Sequence, residues 1–236
     1  MLLRLKGASR SLQVRSNHFS AKYLDKRDAN YSPLSPLSLL KRTVALYPNK
    51  LAYVYGNTQR TWKSVGGRCS QFADALIKSG IQPGDVVSII SPNTPAMYEA
   101  HFAVPGVRAV LHTINTRLDA NTIAFQLKHC GAKLVLIDTE FNGLMLKVKD
   151  LLASQNVPVP RFINIIDVEC TNSTEDLNKL ICDVEYENFI EKGSPTFQLQ
   201  ECTDEYDAIT LNYTSGLLQV IHSHRLCRYR YCRNYW

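Results

Sequence analysis

The residues best suited to chemistry form a short run of hydroxyls that ends in glycine, Tyr213-Thr214-Ser215-Gly216. They follow residues 208–212, an apolar run that predicts a strand, so they stand where a strand gives way to a turn. Backbone N–H groups turned outward and hydroxyls, usually together with a lysine, are the groups that bind phosphate oxygens. The pattern predicts the beginning of a phosphate-binding loop, with these four residues as candidate nucleotide ligands.

The residues after this run add little that would bind an anion. Leu217-Leu218-Gln219 leads into Val220-Ile221-His222-Ser223-His224-Arg225, and neither another glycine nor a lysine occurs after Gly216. A triphosphate needs several donors and a cation. We therefore expect the remnant of a phosphate loop, which holds nucleotide weakly or not at all. We predict no catalytic residue in this chain.

Two histidines and two cysteines near the C-terminus raise the question of a metal site. His222, His224, Cys227 and Cys232 have the spacing H-x-H-x2-C-x4-C, which fits none of the usual zinc patterns. The chain has seven cysteines in all. Their odd number and irregular spacing favour free thiols over a disulfide framework. We predict neither a metal site nor disulfides.

The elements that must position the candidate loop alternate between strands and helices. Apolar runs predict strands at residues 51–55, 86–90, 109–112, 133–137, 162–166 and 207–213, and the turn at Gly56-Asn57 predicts a strand at 58–61 that pairs with 51–55. Helical spacing and capping residues predict helices over 37–47 and 61–79, from 94 onward, over 119–130, up to 151, and near 185–192. This alternation predicts an α/β fold, with parallel-sheet layers flanked by helices. Ligands of such sheets lie beyond the carboxyl ends of the strands.

Two further motifs are interpreted as structural. Asn115, Arg117 and Asp119 stand between a strand and a helix, where capping and ion pairing are more common than catalysis. Gly66-Gly67 falls inside a predicted helix, where each glycine costs about 1 kcal/mol relative to alanine. We interpret the glycine pair as a place of close packing and not as a phosphate turn.

The net charge of +6 is concentrated at the two ends of the chain. Residues 1–24 hold five Lys and Arg, residues 225–236 hold four Arg, and neither segment has an acid, so the body between them is mildly acidic. The basic composition is thus no argument for nucleic-acid binding by the body. The arginines and aromatic residues of 226–236 have the ingredients of nucleic-acid contact but no folded platform, and we predict no specific nucleic-acid partner.

The N-terminal residues have the composition of a targeting segment. Residues 1–24 are rich in Lys, Arg and Ser, which is typical of a mitochondrial or plastid transit peptide. We predict a leader over 1–28 and a mitochondrial location, with a plain basic leader on a cytoplasmic protein as the alternative. The last residues, Arg233-Asn234-Tyr235-Trp236, are not an S-K-L-type peroxisomal signal. No apolar run reaches the roughly 18–20 residues of a membrane span.

The candidate loop resembles the signature loop of adenylate-forming enzymes, Y-T-S-G-T-T-G-x-P-K-G followed by V-x-H-S-H-R. Residues 213–216 and 220–225 match the two ends of this pattern, but three residues stand where the family has seven. Residues 84–87 with 92–97 resemble the family's GDVV…PN-x-PAM, and residues 113–119 resemble its N-x-RLD. Residues 29–39 are similar to the start of plant acyl-activating enzymes of the benzoate- and short-chain acyl-CoA ligase group.

The resemblance implies that residues 29–225 are part of the large domain of an AMP-forming acyl-CoA ligase, followed by an unrelated tail at 226–236. The reaction it implies for the parent enzyme uses a carboxylic acid, ATP with Mg²⁺, and CoA. The family's acid pocket, ribose-binding Asp and C-terminal catalytic Lys have no counterpart in these residues. We expect a truncated, inactive product. The alternative is a pseudoenzyme that pairs with a full-length relative or binds nucleotide weakly.

Overall fold

The computed structural model describes residues 34–167, 184–201, 206–215, 221–225 and 230–231. Six helices are described, each preceded or followed by strands. They are α1 (Pro36–Leu46), α2 (Trp62–Lys78), α3 (Pro95–Ala103), α4 (Ala120–Cys130), α5 (Asn142–Ser154) and α6 (Tyr186–Ile190). The strands are β1 (Leu51–Tyr55), β2 (Thr58–Thr61), β3 (Val86–Ile90), β4 (Val110–Thr113), β5 (Ala132–Asp138), β6 (Arg161–Ile165), β7 (Thr210–Ser215), β8 (Ile221–Arg225) and β9 (Arg230–Tyr231).

The main sheet has seven strands in the order β6-β5-β3-β4-β7-β8-β9, and β1 pairs with β2 in a separate antiparallel hairpin. The first five strands of the main sheet are parallel, and β8 and β9 add to it in antiparallel fashion. The carboxyl ends of the parallel strands therefore share one edge, where ligands of such sheets bind. The predicted α/β class with a parallel sheet flanked by helices is confirmed.

Side-chain caps start the helices where the sequence places hydroxyls and acids. Ser35 forms a reciprocal capping box with Ser38 at α1, and Thr61 accepts a hydrogen bond from the Ser64 N–H at 3.3 Å. Asp119 accepts from the Thr122 N–H at 2.8 Å at the start of α4. At its other end α4 stops at Gly131, whose φ of 64° is left-handed. These groups satisfy N–H groups that have no partner inside the helix.

Two apolar layers lie on opposite faces of the sheet. One joins β3 to α2, α3 and α6 through side chains such as Ile89, Phe72 and Phe189. The other joins β5 to α4 and α5 through Val135, Leu127 and others. Because β3 and β5 are covered on both faces, their residues read as continuous apolar runs without alternation.

Gly66 allows α1 and α2 to approach each other closely. A Cβ at this position would lie 2.9 Å from Cγ2 of Val44 on α1, a distance that real Cβ contacts do not show. Gly67 is less constrained, since a Cβ there would make an ordinary contact of 3.9 Å with Pro195. The interpretation of this pair as packing is confirmed at Gly66.

None of the described helices combines the length and the apolar character that crossing a bilayer requires.

Candidate functional site

The candidate phosphate residues lie in and beyond β7, the last parallel strand. The sequence predicts a turn starting at Tyr213, but the strand continues to Ser215, because β8 pairs with it from Leu211 to Ser215. The backbones of Thr214 and Ser215 pair with His222 and Ile221 respectively. Gly216 lies outside the described residues. Antiparallel pairing with β8 was not visible in the sequence and decides where the turn begins.

The connection between β7 and β8 is short. Ser215 and Ile221 are paired across the hairpin, which leaves five residues, 216–220, to join the strands. Hairpin loops of two to five residues are the common lengths for closing two adjacent antiparallel strands. These five positions contain Gly216 as the only glycine and no lysine. Phosphate-binding loops commonly supply several backbone N–H groups and a cation.

Tyr213 is anchored against the last turn of α4. Its hydroxyl lies 2.7 Å from Nδ1 of His129 and 3.5 Å from the backbone oxygen of Gln126. The His129 ring is stacked on Phe125, with centroids 5.6 Å apart and planes 17° apart. On its other side the Tyr213 ring meets His112 edge-on at 5.1 Å. Burial raises the pKa of the Tyr213 hydroxyl, which stays protonated and able to donate.

His112, Ser88 and Cys130 form a buried polar group beneath Tyr213. Ser88 Oγ lies 2.9 Å from Nδ1 of His112, and Cys130 Sγ lies 3.8 Å from the same nitrogen. Burial lowers the pKa of His112 to about 4 and raises the pKa of Cys130 to about 11. At neutral pH both groups are uncharged, so this arrangement lacks the thiolate–imidazolium pair that a cysteine nucleophile uses. It stabilises the strands and does not supply a nucleophile.

Neighbouring side chains tie the carboxyl end of β4 to β7 and to α4. Thr113 Oγ1 donates to Oδ1 of Asn212 at 3.1 Å. Asn115 Oδ1 accepts from the Arg117 N–H at 3.0 Å, and Asp119 caps α4. The capping role expected for the Asn115–Asp119 segment is confirmed. The hydrogen bonds to Thr122 hold the pKa of Asp119 below its usual range.

A second polar group lies further along the same sheet edge, and sequence reasoning missed it. Ser91 Oγ, after β3, lies 3.0 Å from Thr94 Oγ1 and donates to Asp138 Oδ2, at the end of β5, at 3.3 Å. Asp167, after β6, accepts from the Tyr55 hydroxyl. Burial, with the nearby charge of Asp167 in support, raises the pKa of Asp138 to about 6. A search for polar residues directly after each apolar run would have found this group.

Sequence reasoning also missed a buried carboxylate on α3. Glu99 is fully buried and accepts from Nε of Arg68 at 2.6 Å, from the Tyr186 hydroxyl at 2.6 Å and from the Tyr53 hydroxyl at 3.2 Å. Arg68 also binds both oxygens of Glu187. The network joins β1, α2, α3 and α6. Both oxygens of the buried Glu99 carboxylate accept hydrogen bonds from neighbouring elements, so the network has a structural role.

The side chains of His222 and His224 and the whole of Cys227 and Cys232 lie outside the described part of the chain. Within that part, no three His, Cys, Asp or Glu side chains come together as metal ligands would. The cysteines described there, Cys69 and Cys130, are free thiols.

Comparison with known proteins identifies the relatives of this chain. Residues 40–216 match the family model described as AMP-binding enzyme. A butyrate–CoA ligase of Arabidopsis thaliana is 43% identical over 194 residues, covering 80% of this chain and 33% of that ligase. A benzoate–CoA ligase of the same plant is 42% identical over 213 residues, covering 84% and 35%. The chain thus spans about a third of the length of the curated relatives it matches.

Solved structures share the fold. An anthranilate CoA ligase in complex with anthranoyl-AMP superposes with a TM-score of 0.69 at 18% identity, over 84% of this chain and 36% of that one. The o-succinylbenzoate CoA synthetase of Bacillus subtilis, in complex with its acyl-adenylate intermediate, gives a TM-score of 0.58 at 19% identity, over 79% and 41%. At these identities the likeness shows the fold alone. The expected resemblance to adenylate-forming enzymes is confirmed.

The mitochondrial location predicted from residues 1–24 is wrong. The butyrate–CoA and benzoate–CoA ligases, and an acetate/butyrate–CoA ligase of Arabidopsis thaliana that is 39% identical, are all named as peroxisomal. The prediction rested on the basic, serine-rich composition of that segment. Composition is a weak criterion, because any basic segment without acids satisfies it. The segment itself lies outside the described residues.

Proposed function

We propose that this chain is a non-catalytic form of the N-terminal region of a carboxylic acid–CoA ligase. The premise is that the chain belongs to the AMP-binding enzyme family, and within it to the acyl-CoA ligases. In the reaction of such a ligase the acid attacks the α-phosphate of ATP, giving acyl-AMP and releasing pyrophosphate. CoA thiol then displaces AMP and forms the thioester. ATP is the nucleotide of the family, and Mg²⁺ is its expected companion. Tyr213, Thr214, Ser215 and Gly216 are the remnant of the nucleotide site.

The five-residue connection between Ser215 and Ile221 carries the proposal. In the pattern that residues 213–225 resemble, four more residues stand between the same two strands, including two glycines and the lysine. Since β7 and β8 are paired up to Ser215 and Ile221, the five residues must first close the hairpin. Little backbone is left to turn N–H groups toward phosphates.

The chemistry of adenylation explains why we expect a loop with few backbone N–H donors and no lysine to be inactive. Negative charge builds up on the α-phosphate and on the leaving pyrophosphate in the transition state. Removing one oriented donor from such a site typically costs about 3–4 kcal/mol of barrier stabilisation, or roughly 10²–10³ in rate. Losing several backbone donors and a lysine together lowers the rate by many more orders of magnitude. We expect no measurable adenylation by this polypeptide.

ATP–pyrophosphate exchange with butyrate, benzoate and acetate tests the proposal, alongside calorimetry with ATP and Mg²⁺. The matched control is a variant in which Leu217-Leu218-Gln219 is replaced by seven residues of the pattern T-T-G-x-P-K-G. We expect no heat of ATP binding with the natural chain and measurable binding with the lengthened one. Tight, Mg²⁺-dependent ATP binding by the natural chain, or exchange above that of a relative lacking its loop lysine, would overturn the proposal.

A second candidate function is association with a full-length relative. Several large apolar side chains on and around α1 and β1 are more than half exposed, namely Leu34, Leu39, Leu46, Leu51 and Val54. Apolar side chains concentrated in one region are typical of surfaces that contact another protein. Sedimentation of the chain alone and mixed with purified benzoate–CoA ligase tests this. A complex that is lost in Leu39→Glu supports pairing, and two independent boundaries at micromolar concentrations refute it.

A further inference from the structure

The last turn of α4 contacts Tyr213, which lies in β7 two residues before the end of the strand. Tyr213 and His129 are 84 residues apart in the sequence, and a hydrogen bond of 2.7 Å joins the Tyr213 hydroxyl to Nδ1 of His129. With His129 neutral and its other nitrogen protonated, the hydroxyl donates and Nδ1 accepts. The backbone of Tyr213 is at the same time paired with Ser223 of β8. One residue thus connects a helix to the hairpin that carries the turn.

We propose that His129 is a positioning residue for Tyr213 and, through it, for the backbone of Thr214 and Ser215 at the end of β7. The inference rests on the proposed function in taking residues 213–216 as the remnant of the nucleotide site, and it does not depend on whether nucleotide binds. The role of His129 is to hold the Tyr213 ring, and with it the strand that leads into residues 216–220.

Two aromatic rings flank the imidazole of His129. Phe125, one turn earlier on α4, stacks under the imidazole with planes 17° apart. Tyr213 approaches it edge-on at 74°, with centroids 5.8 Å apart. A ring held between these two neighbours keeps Nδ1 directed at the hydroxyl. Side chains locked in this way by packing transmit position better than long flexible ones.

The opposite side of the Tyr213 ring is also held. His112, fully buried on β4, meets the ring edge-on with planes 64° apart. Ser88 Oγ lies 2.9 Å from Nδ1 of His112. Burial keeps His112 neutral, so it presents an uncharged surface to the tyrosine. Tyr213 is therefore clamped between β4 and α4. A shift of the last turn of α4 has to move the tyrosine or break the hydrogen bond.

The surface side of this clamp is open. Phe125 is 48% exposed and His129 is exposed, so a molecule that contacts this face of α4 contacts the clamp directly. Tyr213 stands two residues before Ser215 in β7. A change at the C-terminal turn of α4 is therefore expected to alter the backbone at the end of β7.

The test compares two replacements of His129 in the full chain by NMR. His129→Phe keeps a ring that stacks on Phe125 but removes the acceptor, whereas His129→Asn places an amide oxygen close to where Nδ1 stood. The readouts are the Tyr213 Cζ resonance, which reports hydrogen bonding by the phenol, and the backbone amides of Thr214 and Ser215. We expect His129→Phe to shift all three resonances and His129→Asn to restore most of the shift.

Tyr213→Phe and the double variant with His129→Phe complete the cycle. If His129 acts through the hydroxyl, the double variant shifts the Thr214 and Ser215 amides no further than either single variant. Additive shifts, or amides that do not move in His129→Phe, would overturn the proposal. Should His129→Phe fail to fold, the test is an NOE in the wild-type chain between the Tyr213 hydroxyl proton and the His129 ring. Its presence supports the hydrogen bond, and its absence refutes it.

ATP calorimetry on the same samples keeps the two proposals separate. ATP binding by the natural chain would refute the proposed loss of nucleotide binding but would not bear on the role of His129. Unshifted Thr214 and Ser215 amide resonances in His129→Phe would refute the role of His129 but would not bear on nucleotide binding.

Discussion

Arg68 Nε lies 2.6 Å from the carboxylate of Glu99, a side chain with no exposed surface, and this pair joins α2 to α3 inside the fold. The tyrosine hydroxyls at positions 53 and 186 complete the coordination of the carboxylate. A buried charge whose partner is removed is left uncompensated in a medium of low polarity. The stability of the described domain therefore depends on Arg68 far more than on an exposed ion pair.

Arg68→Met is expected to lower the free energy of unfolding by about 3–5 kcal/mol, measured by urea denaturation. The matched control is Lys41→Met, which removes a 2.9 Å ion pair between Lys41 and Glu201 whose side chains are 72% and 42% exposed. That change should cost less than about 1 kcal/mol. Adding Glu99→Gln to Arg68→Met should recover part of the loss. Equal effects of the two single variants would contradict the interpretation.

His112 should make stability fall in acid. Its pKa is about 4 when folded and 6.5 in its ordinary state. Between these values the unfolded chain binds the extra proton, so the contribution of His112 is fully present above pH 6.5 and is lost as the pH falls toward 4. The loss amounts to about 3 kcal/mol at most, from 1.36 kcal/mol per pKa unit. The measurement is the pH dependence of the unfolding free energy, wild type minus His112→Gln, which should rise between pH 4 and 6.5. A flat difference would exclude the buried neutral state.

Asp138 should have the opposite effect over nearly the same range. Its pKa is raised from 3.8 to about 6, so the folded chain holds a proton that the unfolded chain releases. Its contribution to stability is present below pH 3.8 and is lost as the pH rises through 6. Wild type minus Asp138→Asn should therefore fall by about 2–3 kcal/mol across that window. Ser91→Ala, which removes the donor to this carboxyl, is the control and should leave the direction unchanged. A difference that rises with pH would show that Asp138 is ionised when folded.

Gly193 should tolerate no side chain. A Cβ there would lie 1.9 Å from the backbone oxygen of Gln71 on α2, and backbone atoms cannot move away cheaply. Gly193→Ala is expected to destabilise by at least about 2–3 kcal/mol in thermal or urea unfolding. Gly143→Ala is the matched control, since nothing lies within 4 Å of a Cβ at that helical position. It should be neutral or stabilise by up to about 1 kcal/mol. Similar losses in both variants would refute the close approach of α2.

Local patterns in the sequence were sufficient to predict the helices and strands. Residues 86–90 were predicted as a strand, and helices were predicted to begin at 61 and 119, where Thr61 and Asp119 cap α2 and α4. Such features depend on residues close together in the chain, through hydrogen bonds and side-chain spacing. The motifs at residues 84–97 and 213–216 were also sufficient to identify the family. The composition of residues 1–24 was not sufficient to predict the subcellular location, and the mitochondrial prediction was wrong for that reason.

The tertiary structure decided which distant residues meet. Tyr213 meets His129 and Glu99 meets Arg68 only because the sheet order and helix packing bring these elements together, and no local pattern encodes that order. The extension of β7 to Ser215 is likewise a consequence of its pairing with β8. Such contacts join groups that are far apart in the sequence. They form only when folding brings their helices and strands together, so they cannot be predicted from local sequence patterns.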